Sequence, residues 1–328
     1  MRLYSRHFSF RFVSNIASVQ VHYSLESFPK LSFPVVTTGT FDGVHLGHQT
    51  ILNRLQELAR KYNGQSVVIT FHPHPRQVLR PDDHSLQLLT TLPEKIARLE
   101  VSGIDHLLVI PFNKEFAELS SQDFIRQVIV EAVNTRKLVI GYDHHFGKNR
   151  EGSFEHLRQF GPQYGFEVEE IPAQDIDQVA VSSTKIREAL SRGDIHTANR
   201  YLGYAYPFNG KVVRGKQLGR TIGFPTANLE LEGLGKLIPA NGVYAVMVNS
   251  GSGIFNGMMN IGFRPTVSDE KVRSIEVHLL DFEGDLYEQN MKVKLIARIR
   301  DEKRFASVDE LRDQLKLDRV QALKYLSV

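Results

Sequence analysis

Strand-length apolar runs alternate with helix-period segments through the first half of the chain. Residues 34–38 form a short apolar run, a glycine-rich stretch follows, residues 46–62 carry apolar positions at helical spacing, and residues 66–71 return to a buried apolar run. That succession predicts a βαβ unit. Further strands are expected at 107–111, 137–141 and 166–171, with helices at 122–133 and 154–163, which makes the first half a parallel α/β sheet. Helices over 182–191, opened by serine and threonine, and over 194–202 lead to a crossing at 203–209. Beyond it the period changes. Short strands at 210–214, 242–249, 257–261, 274–282 and 291–298, punctuated by glycine and proline, predict a small antiparallel β-barrel. Two amphipathic helices, 307–315 and 318–326, are expected to close the chain. The fold class is therefore α/β: a Rossmann-like domain with a parallel sheet, then a small antiparallel barrel with C-terminal helices.

Composition sharpens this picture. A chain of 328 residues exceeds what one hydrophobic core usually serves, so two domains are expected, 19–203 and 204–328, behind an extension at 1–18. That extension holds Arg2, Arg6 and Arg11 among aromatics and lacks the apolar core and cleavage site of a secretion signal. No apolar run is long enough to span a bilayer, which leads to the expectation of a soluble protein without a membrane partner. The absence of cysteine excludes disulfides, thiolate zinc and a cysteine nucleophile, and it fits a reducing cytoplasm. A formal charge of +3 suits small phosphorylated ligands as readily as nucleic acid.

The first candidate chemistry lies in Thr38-Gly39-Thr40-Phe41-Asp42-Gly43-Val44-His45-Leu46-Gly47-His48, where a strand turns into a helix. Gly39, Gly43 and Gly47 would let backbone approach a phosphate, and the helix would aim free N–H groups at it. His45 and His48 add side-chain donors. Adenylyl transfer needs two anions brought together and the charge on phosphorus and departing pyrophosphate stabilised, which such donors can do with a pH dependence of their own. The alternatives are a histidine pair that caps a turn, or a zinc site with His72 and His74, which lacks an acidic or cysteine ligand at matching spacing.

His45-Leu46-Gly47-His48 resembles the HxGH signature of nucleotidyltransferases, and the wider string, Gly39 and Phe41 included, resembles their FAD synthetase branch. Val181-Ser182-Ser183-Thr184-Lys185-Ile186-Arg187 is similar to that family's (I/V)SSTxIR segment. The resemblance implies ATP binding by both strings. Ser182, Ser183, Thr184 and Arg187 at a helix start would make an anion clamp, against the plainer alternative of an N-cap and a solvated charge. It also implies that Asp143, within the loop 141–147, lies near the bound nucleotides. Thr40 and His72 depart from the family pattern, which has frequent asparagine and acidic residues there.

The second candidate chemistry opens the barrel. No GxxxxGK[ST] loop occurs, yet Gly215, Gly219 and Arg220 in a glycine-rich, basic stretch could cradle phosphates, and Thr226 and Asn228 offer neutral oxygens to a hard cation. A kinase acting on an alcohol needs a group to take the hydroxyl proton, and Glu276 is the best candidate. Strand alternation sets Glu276 and His278 opposite Ile275, Val277 and Leu279, so the carboxylate faces either a cavity or solvent. Residues 210–228, the string 260–266 and the segment 276–282 together resemble the riboflavin kinase module. That resemblance implies Mg²⁺ and ATP at Thr226 and Asn228 and the base role for Glu276; Glu288 stands where glycine is frequent.

The two likenesses span roughly residues 19 to 326 and imply a bifunctional riboflavin kinase/FAD synthetase family member. Such an enzyme phosphorylates riboflavin to FMN with ATP, then adenylylates FMN to FAD with a second ATP and releases pyrophosphate. Its partners would be the small molecules riboflavin, FMN and ATP, and no oligomeric interface is legible. One rival is an adenylyltransferase for another phosphorylated substrate, against which the barrel argues. A second is a non-catalytic nucleic-acid-binding protein with an OB-like barrel, whose strands here lack the interleaved exposed aromatics of a base-stacking platform.

Overall fold

The computed structural model describes residues 18–83, 86–142, 144–173, 181–215, 218–231, 235–263 and 273–327. In its first half β1 (Gln20–His22), β2 (Pro34–Thr38), β3 (Gln65–His72), β4 (His106–Pro111), β5 (Lys137–Gly141) and β6 (Glu167–Ile171) pair in parallel, in the order β1-β4-β3-β2-β5-β6. β2 and β5 are buried along their whole length, Thr37, Thr38 and Lys137 included, as their apolar centres require of strands covered on both faces. Val35, Val68 and Val139 pack with Leu52, Leu55 and Leu58 of the helix Leu46–Lys61, while Val36, Ile69 and Ile140 pack on the other side with Val128 and Ile129. From β2 the chain winds outward through β3 and β4 and then reverses to β5 and β6. The loop after β2 thus opens at the switch point of the sheet, where open α/β folds bind ligands.

The second half closes on itself. β7 (Tyr206–Val213), β8 (Ala227–Leu231), β9 (Gly242–Ser250), β10 (Gly253–Phe263), β11 (Arg273–Leu279) and β12 (Asn290–Arg300) form a closed antiparallel barrel in the order β10-β11-β8-β7-β12-β9, which leaves no free sheet edge. Tyr206, Phe208, Tyr244, Val246 and Val293 fill its interior. The same core takes in Ile186 and Leu190 from the helix Ser183–Ser191 and Ala198 and Leu202 from the helix Ile195–Leu202. These helices therefore share their core with the barrel.

The expected pair of C-terminal helices is corrected to one, Val308–Leu326. Asp318, read as the start of a second helix, is instead 1% exposed, with both its oxygens on the Arg300 guanidinium at 2.7–3.1 Å, so a buried ion pair carries the helix straight through. The expected helix at 122–133 begins as an α-helix, Ser121–Phe124, and widens into a π-helix, Ile125–Ala132. β1, β8 and the helix Leu92–Val101 went unforeseen, although Thr91 and Glu94 form a capping box with proline in the first turn, a signal present in the sequence. β7 also starts earlier than expected, at Tyr206.

The halves meet through the segment before that unforeseen helix. Leu88 N–H donates to the Gly235 carbonyl at 2.6 Å, and Leu237 N–H donates back to the Leu88 carbonyl at 2.8 Å. Lys236 Nζ reaches Glu94 Oε2 at 2.7 Å and the Leu89 carbonyl at 2.8 Å, with both charged side chains 2% exposed.

Candidate active sites

The loop leaving β2 is held in an unusual backbone conformation. Phe41 and Val44 have φ of 47° and 38°, a region costly for side chains with a Cβ and most so for a β-branched one, and Gly43 has φ of 85°. Surrounding contacts hold that conformation. The Asp42 carboxylate accepts from Leu89 N–H and Thr90 N–H, each at 3.0 Å, and from Arg187 Nη2 at 2.5 Å. Gly43 N–H donates to Thr90 Oγ1 at 3.0 Å, the Tyr204 hydroxyl donates to the Gly43 carbonyl, and the Ser183 hydroxyl donates to the Asp42 carbonyl at 3.0 Å. From below, Lys95 Nζ donates to the Thr40 carbonyl at 2.7 Å. A Cβ on Gly43 would meet Leu89 Cδ1 at 2.8 Å, so glycine is required there for space as well as for φ.

His45 caps the helix that follows, its Nδ1 accepting from His48 N–H at 3.4 Å, and the two imidazoles stack with centroids 3.8 Å apart. Capping and the paired-donor geometry thus coexist. Burial pushes His45 down to about 4; His48 lies well below its ordinary value, through burial first and then the neighbouring charges of His45 and Lys95. Both rings are neutral at pH 7. With its Nδ1 accepting, His45 keeps its one proton on Nε2, which leaves that edge as the donor. His48 Nδ1 is buried without a partner, and the His48 ring lies 5.0 Å from that of the buried Phe41. Gly47 is buried in the first turn, and Gly39 packs under the Phe41 ring.

The segment 181–187 meets this loop from the side. Ser182 is the N-cap of its helix and accepts from Lys185 N–H at 3.3 Å, Ser183 and Arg187 grip Asp42, and Thr184 is exposed. Arg187 also donates to the Gln87 carbonyl at 2.7 Å. The structure therefore brings Ser183 and Arg187 to the glycine loop as its braces. Asp143 lies outside the described residues. Two groups in this neighbourhood went unforeseen: Asp42, whose carboxylate organises the loop, and Lys95, which no motif marks.

On the barrel, β8 and β11 are neighbours and Glu276 pairs in register with Asn228. The Thr226 hydroxyl donates to Glu276 Oε2 at 3.4 Å, and Asn260 of β10 flanks Glu276 on its other side. Ile275, Val277 and Leu279 are buried while Glu276 and His278 are half-buried, as the alternation required. A cavity of about 270 Å³ opens on the Val277 and Leu279 side of β11, lined by Arg220, Thr226, Val277, Phe282, Leu286 and Tyr287; Thr226 and Arg220 reach it, whereas Glu276 and Asn228 do not line it. His278 Nδ1 lies 2.8 Å from the Pro225 carbonyl and so fixes the turn that presents Thr226. A Cβ on Gly215 would overlap the Asn228 amide, and one on Gly219 would overlap the Phe224 carbonyl oxygen. Both glycines are there to let backbone close over the Thr226–Asn228 turn.

A phosphate-approach loop at a sheet switch point and a carboxylate beside oxygen donors on a closed barrel, in one chain, define a two-site transferase that works on nucleotides. Family models agree in the same order along the chain, FAD synthetase over residues 29–185 and riboflavin kinase over residues 202–326. The bifunctional riboflavin kinase/FMN adenylyltransferase of Escherichia coli strain K12 is 40% identical over 295 residues, 90% of this chain and 93% of that one. The enzyme of the same description from Bacillus subtilis strain 168 is 38% identical over 297 residues, covering 89% and 92%. A solved structure described as a macrolide-efflux protein from Streptococcus pneumoniae superposes with a TM-score of 0.83 at 34% identity, over 92% of this chain and 97% of that one. Among the described residues here, no helix is long and apolar enough to cross a membrane. The chain belongs to the bifunctional riboflavin kinase/FMN adenylyltransferase family.

Proposed function

We propose a division of labour within a transferase that carries riboflavin kinase and FMN adenylyltransferase activities: residues 204–328 phosphorylate riboflavin, and residues 19–203 join the resulting FMN to AMP. The order follows from the chemistry, because adenylylation needs the phosphate that the first reaction installs. The observation that carries the reading is the register of Glu276 with Asn228, with Thr226 bonded to the same carboxylate. Glu276 accepts the proton of the ribityl hydroxyl as it attacks the terminal phosphate of ATP. Arg220 at the cavity rim and the backbone at Gly215 and Gly219 hold the phosphates.

Magnesium fits this donor set. Thr226 and Asn228 offer a hydroxyl and an amide oxygen, the hard neutral ligands that Mg²⁺ takes beside substrate phosphates and water, without the acidic cage that larger cations use. When bound it would neutralise charge on the ATP phosphates. At the other site His45 and His48 donate from neutral rings to the triphosphate, and Gly39, Phe41, Gly43 and Gly47 shape the loop around it. Ser183 and Arg187 hold that loop, and Ser182 and Thr184 at the same helix start would meet its anion. Asp143 contributes from the flavin side. The cysteine-free composition suits a cytoplasmic enzyme whose partners are small molecules.

Incubating the purified protein with riboflavin, Mg²⁺ and ATP and separating the products should yield both FMN and FAD. The His48→Ala protein should accumulate FMN with FAD formation lowered roughly 100-fold or more, the effect expected when a donor to developing charge is removed. FAD production at the normal rate by that variant would end the assignment of the loop. Gly215→Ala should displace the Asn228 amide, raising KM for Mg-ATP and lowering FMN formation roughly 100-fold. FAD made from supplied FMN should not change, and an unaltered kinase would remove Asn228 from the metal site.

A further inference from the structure

Two lysines are buried near the seam between sheet and barrel, and their surroundings differ. Lys236 is paired with Glu94. Lys95, the next residue along the helix Leu92–Val101, is 7% exposed and among the described residues is held only by neutral oxygens, the Thr40 carbonyl at 2.7 Å and Thr70 Oγ1 at 3.2 Å. Its neighbour Glu94 is committed elsewhere, to Lys236 and to Thr91 N–H. The Asp42 carboxylate acts on it from the loop but is bonded to Arg187, Leu89 and Thr90. A buried ammonium with no carboxylate of its own is costly and, in a fold that keeps it, points to an anion supplied from outside.

We propose that Lys95 is a positioning residue for adenylyl transfer: its ammonium fixes the Gly39–Gly43 loop through the Thr40 carbonyl and places there a positive charge, which the incoming triphosphate balances. The proposal rests on the assignment of that loop to FMN adenylylation. Two of the three Lys95 protons are used by Thr40 and Thr70, and its charge is felt by His48 at the helix start, by His72 at the end of β3 and by His74 after it. Through the first contact it supports the loop in its strained form. Through its charge it disfavours a proton on His48, so that the ring stays a neutral donor.

Burial draws the Lys95 amine down to about 8, against a raising influence from Asp42. The ammonium of the free enzyme is therefore present below that pH and is lost as pH rises through it. The kcat/KM for FAD formation, which reports the free enzyme, should decline on the alkaline side, with the limb moved to higher pH in kcat because the bound triphosphate favours the ammonium. The test measures FMN-to-FAD conversion from pH 6 to pH 10 in the full-length protein, with riboflavin phosphorylation as the internal control. Lys95→Met should lower FAD formation at pH 7 roughly 100-fold and abolish the alkaline decline, while the kinase activity is kept. Lys95→Arg, whose charge does not titrate in this range, should restore much of the activity at pH 7 and hold it to pH 10. Two results would overturn the proposal: full activity in Lys95→Met, or an equal loss at every pH in both variants with the wild-type alkaline limb intact. If His48→Ala were also fully active, the assignment of the loop itself would fall, and the two failures are told apart by that comparison.

Discussion

Replacing Glu276 with glutamine should lower riboflavin phosphorylation by roughly 10²- to 10⁴-fold, the range expected when a positioned base is removed. Glutamine keeps the shape of the side chain and an oxygen for the Thr226 hydroxyl, so the barrel should fold as before and the loss should fall on kcat. FAD formation from supplied FMN should be untouched, because β11 makes no part of the loop after β2. The measurement is a pair of assays on one protein sample, FMN from riboflavin and FAD from FMN. Should FMN formation persist near the wild-type rate, Glu276 is only a neighbour of Thr226 and Asn228, and the proton must leave by another route.

Lys236→Met should destabilise the protein by about 3–5 kcal/mol, since breaking a buried ion pair leaves Glu94 as an unpaired charge. Its urea midpoint should drop accordingly. Adding Glu94→Gln should recover part of the loss, and a double variant no better than the sum of the single effects would show that the pair is not coupled. The functional effect should cross the seam. Lys236 belongs to the barrel half, yet its ammonium also holds the Leu89 carbonyl, and the Leu89 and Thr90 amides hold Asp42 in the loop after β2. FAD formation should therefore fall further than FMN formation in the folded fraction. Equal losses would mean that the seam stabilises the chain without shaping the loop.

The shared core gives the same coupling a packing basis. Leu89 lies in one apolar cluster with Leu190 and Leu202 of the linking helices and with Tyr206 and Tyr244 of the barrel. Close-packed side chains of this kind transmit displacement because little free volume absorbs it. The helix Ile195–Leu202 ends at Gly203, directly before Tyr204, whose hydroxyl reaches the Gly43 carbonyl. A perturbation of the barrel's first strand therefore has a short mechanical path to the glycine loop.

Much of the architecture was legible in the chain. The apolar runs at β2 and β5 announced buried parallel strands because a strand covered on both faces has no polar side to show. Alternation in β11 told which residues share a face with Glu276. The glycines of both candidate sites, and the histidine and serine strings, marked candidate chemistry by residue type, by spacing and by their resemblance to family motifs. What local pattern misread were the places where a charge is buried. Asp318 looked like the beginning of a helix because acidic residues ordinarily stand in water, and only Arg300, eighteen residues earlier in sequence, makes its burial tolerable.

The sequence by itself determined the parallel sheet and the antiparallel barrel and their order, since these follow from short-range periodicity. Tertiary structure alone decided which way the charges face. It turned Ser183 and Arg187 onto Asp42, made the stacked imidazoles neutral by burying them, and brought Thr226, Asn228 and Glu276 together from two neighbouring strands. Lys95 and Lys236 acquired opposite surroundings in the same way. Solvation and ion pairing depend on what the rest of the chain places within a few ångströms, and no window along a single sequence contains that neighbourhood.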